Sequence, residues 1–159
     1  ALPLLNDYPK LMISQTFSKA YGLAGIRLGI GFAHPLIINF FNKIKPPYNV
    51  NSLTQKAALE VLQDHSYVSR QIEELIVQRE MMKKQLITFG FVKKVFSSDA
   101  NFLLVKVDDA AKRYEQFLTQ GVVVRNRSSL MNCENTLRIT VGTPEENITF
   151  ITACKTIDQ

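Results

Sequence analysis

From Phe91 to its end the chain alternates strand-like and helix-like runs, and this alternation limits its fold more than any other feature. "FVKKVF" and "ANFLLVKV" are rich in β-branched and aromatic residues, a composition that suits strands. "DAAKRYEQFLTQG" then takes up the period of a capped amphipathic helix that ends at Gly121. "VVVRNR" and "TLRITVG" return to strand. "TPEENITFITACKTI" opens with Thr143 as cap and Pro144 at the first helical position. Its two acids in the first turn suit the positive end of the helix dipole. Strands interleaved with helices predict a small α/β unit over residues 91–159.

The earlier part reads differently. Leu11 to Phe17, bounded by Pro9, predicts a short buried strand and then a turn. "IRLGIGFA" (residues 26–33) predicts a second strand whose glycines allow close backbone approach. "PLIINFFNKI" has helical spacing with Pro35 in its first turn. "KPPYNVN" ends that helix, since two prolines remove backbone donors, and it marks the clearest boundary in the chain. Asn51 or Ser52 can cap one long helix beyond it, with Val68, Ile72, Leu75, Met82 and Leu86 on one stripe and Gly90 as its stop.

Hydrophobic residues make up 46% of the 159, enough for a real core. The formal net charge of +5 comes without a long basic run, which disfavours nucleic acid as a partner and leaves small phosphate-bearing anions open. Cys133 and Cys154 form no CxxC pair and no metal-spaced cluster with His34 or His65, so the thiols read as free, the histidines as structural, and the compartment as a reducing cytoplasm. No apolar run reaches membrane-spanning length and no signal-peptide pattern opens the chain. The chain lacks an initiator methionine and enters a strand-like run almost at once, so it is expected to be a piece of something longer.

"QTFSKAYGLAGIRLG" (residues 15–29) carries the chemistry. Lys19 follows a predicted strand directly, at a turn beside Ser18 and Gly22. A lysine shielded at the edge of a core offers its amine as a nucleophile, and an aldehyde is the natural partner for such an amine. Pyridoxal phosphate is the commonest cofactor of that kind, and it also carries a phosphate. Thr16 and Ser18 supply hydroxyls, and Arg27, read on the next strand, supplies a guanidinium fork. The order is not that of a phosphate-binding P-loop, because the lysine precedes the glycines.

The same stretch, followed in order by "KPPYNVNSLTQKAA", "ANFLLVKV", "GVVVRNR" and "LRITVGTPEEN", resembles the fold-type I pyridoxal-phosphate aminotransferases, and within them the histidinol-phosphate aminotransferases. The resemblance covers essentially the whole chain but only the C-terminal portion of the family's length. It implies that residues 1–47 are the C-terminal edge of a large cofactor-binding domain, 48–90 a long interdomain helix, and 91–159 a small C-terminal α/β domain. It implies that Lys19 anchors the cofactor and shuttles the proton, and that Thr16, Ser18 and Arg27 hold the cofactor phosphate. Arg125 and Arg138 are implied to bind the phosphate of histidinol phosphate, with Arg127 a structural neighbour, and no metal is implied.

The resemblance further implies amino transfer to 2-oxoglutarate in histidine biosynthesis by a full-length homodimer. The cofactor's ring partners lie in the family's upstream part. The 159 residues alone are therefore expected to be inefficient, with unpartnered strands near the N-terminus. Two other readings stay open: a related pyridoxal-phosphate-dependent threonine-phosphate decarboxylase, and a non-catalytic C-terminal domain.

Overall fold

A computed structural model describes residues 1–159; the side chain of His65, read above as structural, lies outside the described residues. The chain divides into two compact units, Ala1–Gln71 and Ile72–Gln159.

The first unit begins with a single helical turn, α1 (Leu4–Asp7), and continues into a two-stranded antiparallel ribbon of β1 (Met12–Thr16) and β2 (Gly29–Ala33). Its register runs from Met12 opposite Ala33 to Thr16 opposite Gly29. The expected buried strand at Leu11–Phe17 is a mostly exposed one, because no third strand joins the ribbon among the described residues. The second strand starts at Gly29 rather than Ile26, since Ala24–Ile26 forms a 3₁₀ turn.

Helix α2 (Pro35–Ile44) follows, with His34 as cap: its Nδ1 accepts from the amide of Leu36 at 3.3 Å. The structural role read for His34 is thus a cap. Leu36, Phe40 and Ile44, spaced four residues apart on α2, are all more than half exposed.

The single long helix expected after "KPPYNVN" is two helices, α3 (Ser52–Gln63) and α4 (His65–Leu86). Asp64 causes the break. Its backbone is non-helical (φ −108°, ψ 66°), and its carboxylate accepts from the Tyr67 amide at 3.0 Å and the Ser66 hydroxyl at 2.9 Å. A short acidic side chain competes with the helix for backbone donors and favours a cap over an interior position. Asn51 caps α3 through the Thr54 amide at 2.9 Å. Gly90 does not stop α4, which ends at Leu86 through turn bonds from Thr88 to Gln85 and from Phe89 to Leu86. Of the expected stripe, Val68, Met82 and Leu86 are buried, whereas Ile72 is 38% exposed.

The second unit holds the core. Four strands, β3 (Val92–Val95), β4 (Phe102–Val107), β5 (Arg125–Asn126) and β6 (Thr136–Thr140), form an antiparallel sheet in the order β3-β4-β6-β5. The period of two along a strand sends Leu103, Val105, Val107, Leu137 and Ile139 to one face. There they meet Met82 and Leu86 of α4, Phe117 of α5 (Ala110–Thr119), and Phe150 and Ile151 of α6 (Pro144–Ile157). Ring centroids of Phe89, Phe91, Phe117 and Phe150 follow one another at 5.8, 6.4 and 5.3 Å through this layer. Each fully buried large side chain contributes about 1.5–3 kcal/mol, so stability concentrates here.

Local signals close the two helices as expected. Thr143 and Glu146 form a reciprocal capping box at α6, with Pro144 in the first turn. Gly121 (φ 72°) ends α5, with the Gly121 amide bonded to Leu118 and the Val122 amide to Phe117, both at 2.9 Å. The α/β reading of this region is borne out.

Candidate active site

The first cluster of site residues lies on the connection from β1 to β2. Beyond the pair Thr16–Gly29, the Phe17 amide donates to the Leu28 carbonyl at 3.2 Å, so the register continues past the strand ends. The Thr16 hydroxyl accepts from the Ser18 amide at 3.0 Å and holds the chain as it leaves β1. Lys19 opens a tight turn closed by the Gly22 amide on the Lys19 carbonyl at 2.9 Å, with Gly22 in the left-handed region (φ 67°). The Leu23 amide then returns to the Phe17 carbonyl at 3.0 Å.

Phe17 is the buried residue of this connection, at 2% exposure, with the Tyr21 ring 4.8 Å from its own. Lys19 is exposed, which corrects the expectation of a shielded amine: the ribbon has no covering layer on this side chain among the described residues. α3 touches the connection through its Thr54 hydroxyl, which donates to the Ile26 carbonyl at 3.4 Å.

Arg27 is not on a strand. It follows the 3₁₀ turn with φ 54° and ψ 45°. Among the described residues three other than glycine have positive φ, and the other two are Asn132 and Asn135, a residue type that tolerates this region. A long side chain there is strained, and such strain gathers at functional positions. One guanidinium nitrogen donates back to the Ala24 carbonyl at 2.9 Å. The guanidinium is exposed, so its other donors are open to a ligand.

The second cluster lies on the sheet face turned away from the helices. β6 places Arg138 between the inward-facing Leu137 and Ile139, so its side chain takes the outer face. Arg125 of β5 pairs directly with it across the ladder. Like charges facing each other across strands are destabilising unless an anion lies between them. The Nε of Arg138 is buried with no hydrogen-bond partner, an open donor in a half-buried guanidinium.

The same face carries Lys94 and Lys106, themselves a cross-strand pair, which makes it basic from β3 to β5. Those lysines escaped the sequence reading, because only the register brings them onto the face of the arginines. Arg127 closes the β5–β6 loop through its backbone amide on the Thr136 carbonyl at 2.9 Å.

Elsewhere, Cys133 and Cys154 are free, and burial pushes the Cys154 thiol up to about 12. Among the described residues no group of metal-ligating side chains gathers, and no helix is long and apolar enough to cross a membrane.

The family described as aminotransferase class I and II matches residues 1–153. The chain belongs to that family. It is 53% identical over 154 residues to a histidinol-phosphate aminotransferase of Christiangramia forsetii, covering 97% of this chain and 44% of that relative. A crystal structure of the histidinol-phosphate aminotransferase from Clostridium acetobutylicum superposes with a TM-score of 0.91 at 25% identity, over 99% of this chain and 48% of that one. The L-threonine-O-3-phosphate decarboxylase of Porphyromonas gingivalis gives a TM-score of 0.82, also at 25% identity, over 96% and 48%. The chain therefore spans about half the length of these relatives, 44% in the first case. The resemblance read from the motifs is borne out at the level of the family.

Proposed function

We propose that these residues form the anchor, the phosphate clamp and the substrate-anion site of a pyridoxal-phosphate-dependent aminotransferase that moves an amino group between histidinol phosphate and 2-oxoglutarate. The observation that carries the reading is Arg27, held in a left-handed backbone on the same short connection as Thr16, Ser18 and Lys19. One amine, two hydroxyls and one guanidinium are the donor set that an aldehyde bearing a phosphate needs, so the residues fit that cofactor.

Lys19 would hold the cofactor covalently, while Ser18, Thr16 and Arg27 would hold its phosphate. When bound, the cofactor supplies an electron sink for the carbon that loses its proton. Lys19 Nζ, once free, accepts that proton and returns it as a general acid. Arg125 and Arg138 bind the phosphate of the substrate and orient it; their cross-strand repulsion is relieved by a dianion. In this reading residues 1–47 belong to a cofactor-binding domain, 48–90 link, and 91–159 form a substrate-binding domain. The whole protein works as a homodimer in the cytoplasm on small molecules, without nucleic acid or membrane. Because the chain spans 44% of such a relative, efficient turnover belongs to a protein of the relatives' length, and the 159 residues alone are expected to lack it.

The test has two parts. Pyridoxal phosphate and borohydride are added to the chain, and intact mass is read for the wild type, Lys19→Ala and Arg27→Gln. A single adduct, lost in Lys19→Ala and reduced in Arg27→Gln, supports the anchor and clamp; equal labelling of all three refutes them. The chain is then grafted into the Christiangramia forsetii relative in place of the segment it matches. Amino transfer from histidinol phosphate supports the main reading. Carbon dioxide release from threonine phosphate would favour the second reading, suggested by the likeness to the Porphyromonas gingivalis decarboxylase. An adduct-free chimera without either activity favours a non-catalytic domain.

A further inference from the structure

We propose that Phe102 is a positioning residue for Arg138: its ring holds the guanidinium in place beside Arg125 so that the two meet one phosphate monoester. This rests on the reading above that the arginine pair binds an anion.

The register brings Phe102 and Arg138 together. Arg138 stands opposite Leu104, and Phe102 opposite Thr140, so Phe102 and Arg138 are diagonal neighbours on the outer face. The Arg138 guanidinium carbon lies 5.2 Å from the centre of the Phe102 ring. Among the described residues Arg138 has no ion pair and no side-chain hydrogen bond, and its buried Nε is unpartnered. The ring face is thus the contact that favours its charge. Without it, repulsion from Arg125 across the ladder would drive the two guanidiniums apart.

Phe102 is itself fixed from outside the strand. The Ser98 hydroxyl donates to the Phe102 carbonyl at 2.7 Å and accepts from the Ala100 amide at 3.1 Å. Arg79 of α4, only 8% exposed, donates to the Ala100 carbonyl at 3.0 Å. The Val141 amide donates to the Asn101 carbonyl at 2.9 Å, which ties the same loop to the end of β6. A buried arginine and a turn therefore fix the backbone that carries the ring, and the ring faces the Arg138 guanidinium.

The probe is inorganic phosphate, titrated into the 159-residue chain and followed through the arginine Nε–Hε resonances by NMR. In the wild type, phosphate shifts Arg138 and Arg125, and the Arg138 signal carries the ring-current displacement of Phe102. Phe102→Leu is expected to remove that displacement and weaken phosphate binding about fivefold, while Phe102→Tyr retains both. Pentafluorophenylalanine at position 102 keeps the ring's shape and reverses the charge of its face; it is expected to weaken binding as the leucine does, even if the leucine variant folds poorly.

Unchanged binding in the pentafluoro and leucine variants, with binding lost in Arg138→Lys, overturns the role of Phe102 and leaves the anion reading intact. No phosphate response at either arginine in the wild type overturns the anion reading and this proposal with it. A wild-type Arg138 signal free of ring-current displacement overturns the positioning role alone.

Discussion

Replacing Asn147 by leucine is expected to destabilise the second unit by about 3 kcal/mol. Asn147 is 2% exposed and makes three hydrogen bonds through its amide. Its Nδ2 donates to the Gly142 carbonyl at 3.0 Å and to Gln78 Oε1 at 3.1 Å, and its Oδ1 accepts from the Gly142 amide at 3.0 Å. Leucine removes all three bonds and leaves a buried Gln78 and a half-buried Gly142 without those partners. Each bond contributes about 1 kcal/mol, and an orphaned buried group costs at least as much. The apolar atoms gained offset little, because leucine's branched end matches the planar amide poorly. Gly142 also sits between β6 and the capping box of α6, so losing its anchor loosens that helix start.

The chain has no tryptophan, so far-UV circular dichroism in urea and on heating is the assay. The expected fall in Tm is roughly 6–12 °C. Gln78→Ala removes one of the three bonds and is expected to cost about 1 kcal/mol, with coupling to Asn147 in a double-mutant cycle. A loss below 1 kcal/mol for Asn147→Leu would refute the claim that this network ties α4 to the start of α6.

Three further outcomes are expected. Gly121→Ala should cost about 1–2 kcal/mol by urea denaturation, purely through backbone strain, because a Cβ there meets nothing within 4 Å while φ is 72°. Cys133 should react with a disulfide reagent in the folded chain and Cys154 should not, because burial raises the Cys154 thiol to about 12; equal rates in native buffer would contradict its burial. The Arg113 guanidinium grips Asp108 at 2.7 and 2.9 Å and holds its carboxyl down to about 2. This depressed carboxylate contributes stability fully present above its unfolded pKa near 3.9 and lost as pH falls toward 2. With its side chain about one-third exposed the contribution is about 1 kcal/mol after screening, and Asp108→Asn should remove that part of the acid dependence seen in urea titrations at pH 5 and pH 2.5.

Local chemistry was legible from the residues alone. Thr143, Pro144 and Glu146 announce a helix start, and Gly121 a helix end, because caps are satisfied by groups three or four residues away. The runs "ANFLLVKV" and "LRITV" read as strands from their β-branched and aromatic residues, and both form strands, β4 and β6. Lys19, Ser18, Thr16 and Arg27 could be singled out for the same reason: they lie on one short connection. The break at Asp64 is not legible in the sequence because apolar spacing continues past it, and only its bonds to Tyr67 and Ser66 reveal it.

What the chain could not disclose by itself depends on strand pairing. Nothing in "VVVRNR" or "LRITVG" says that β5 lies beside β6 rather than β3, yet that order sets Arg125 against Arg138. The register of β4 on β6 then brings Phe102 under the guanidinium, from more than thirty residues away in sequence. Exposure is the same kind of fact: Lys19 follows an apolar run, but whether a layer covers it depends on which elements pack there. Covalent neighbours determine caps, turns and strand faces through short-range sterics and hydrogen bonds. Burial and cross-strand contact are set by the free energy of the whole packed arrangement, and so only the tertiary structure decided them.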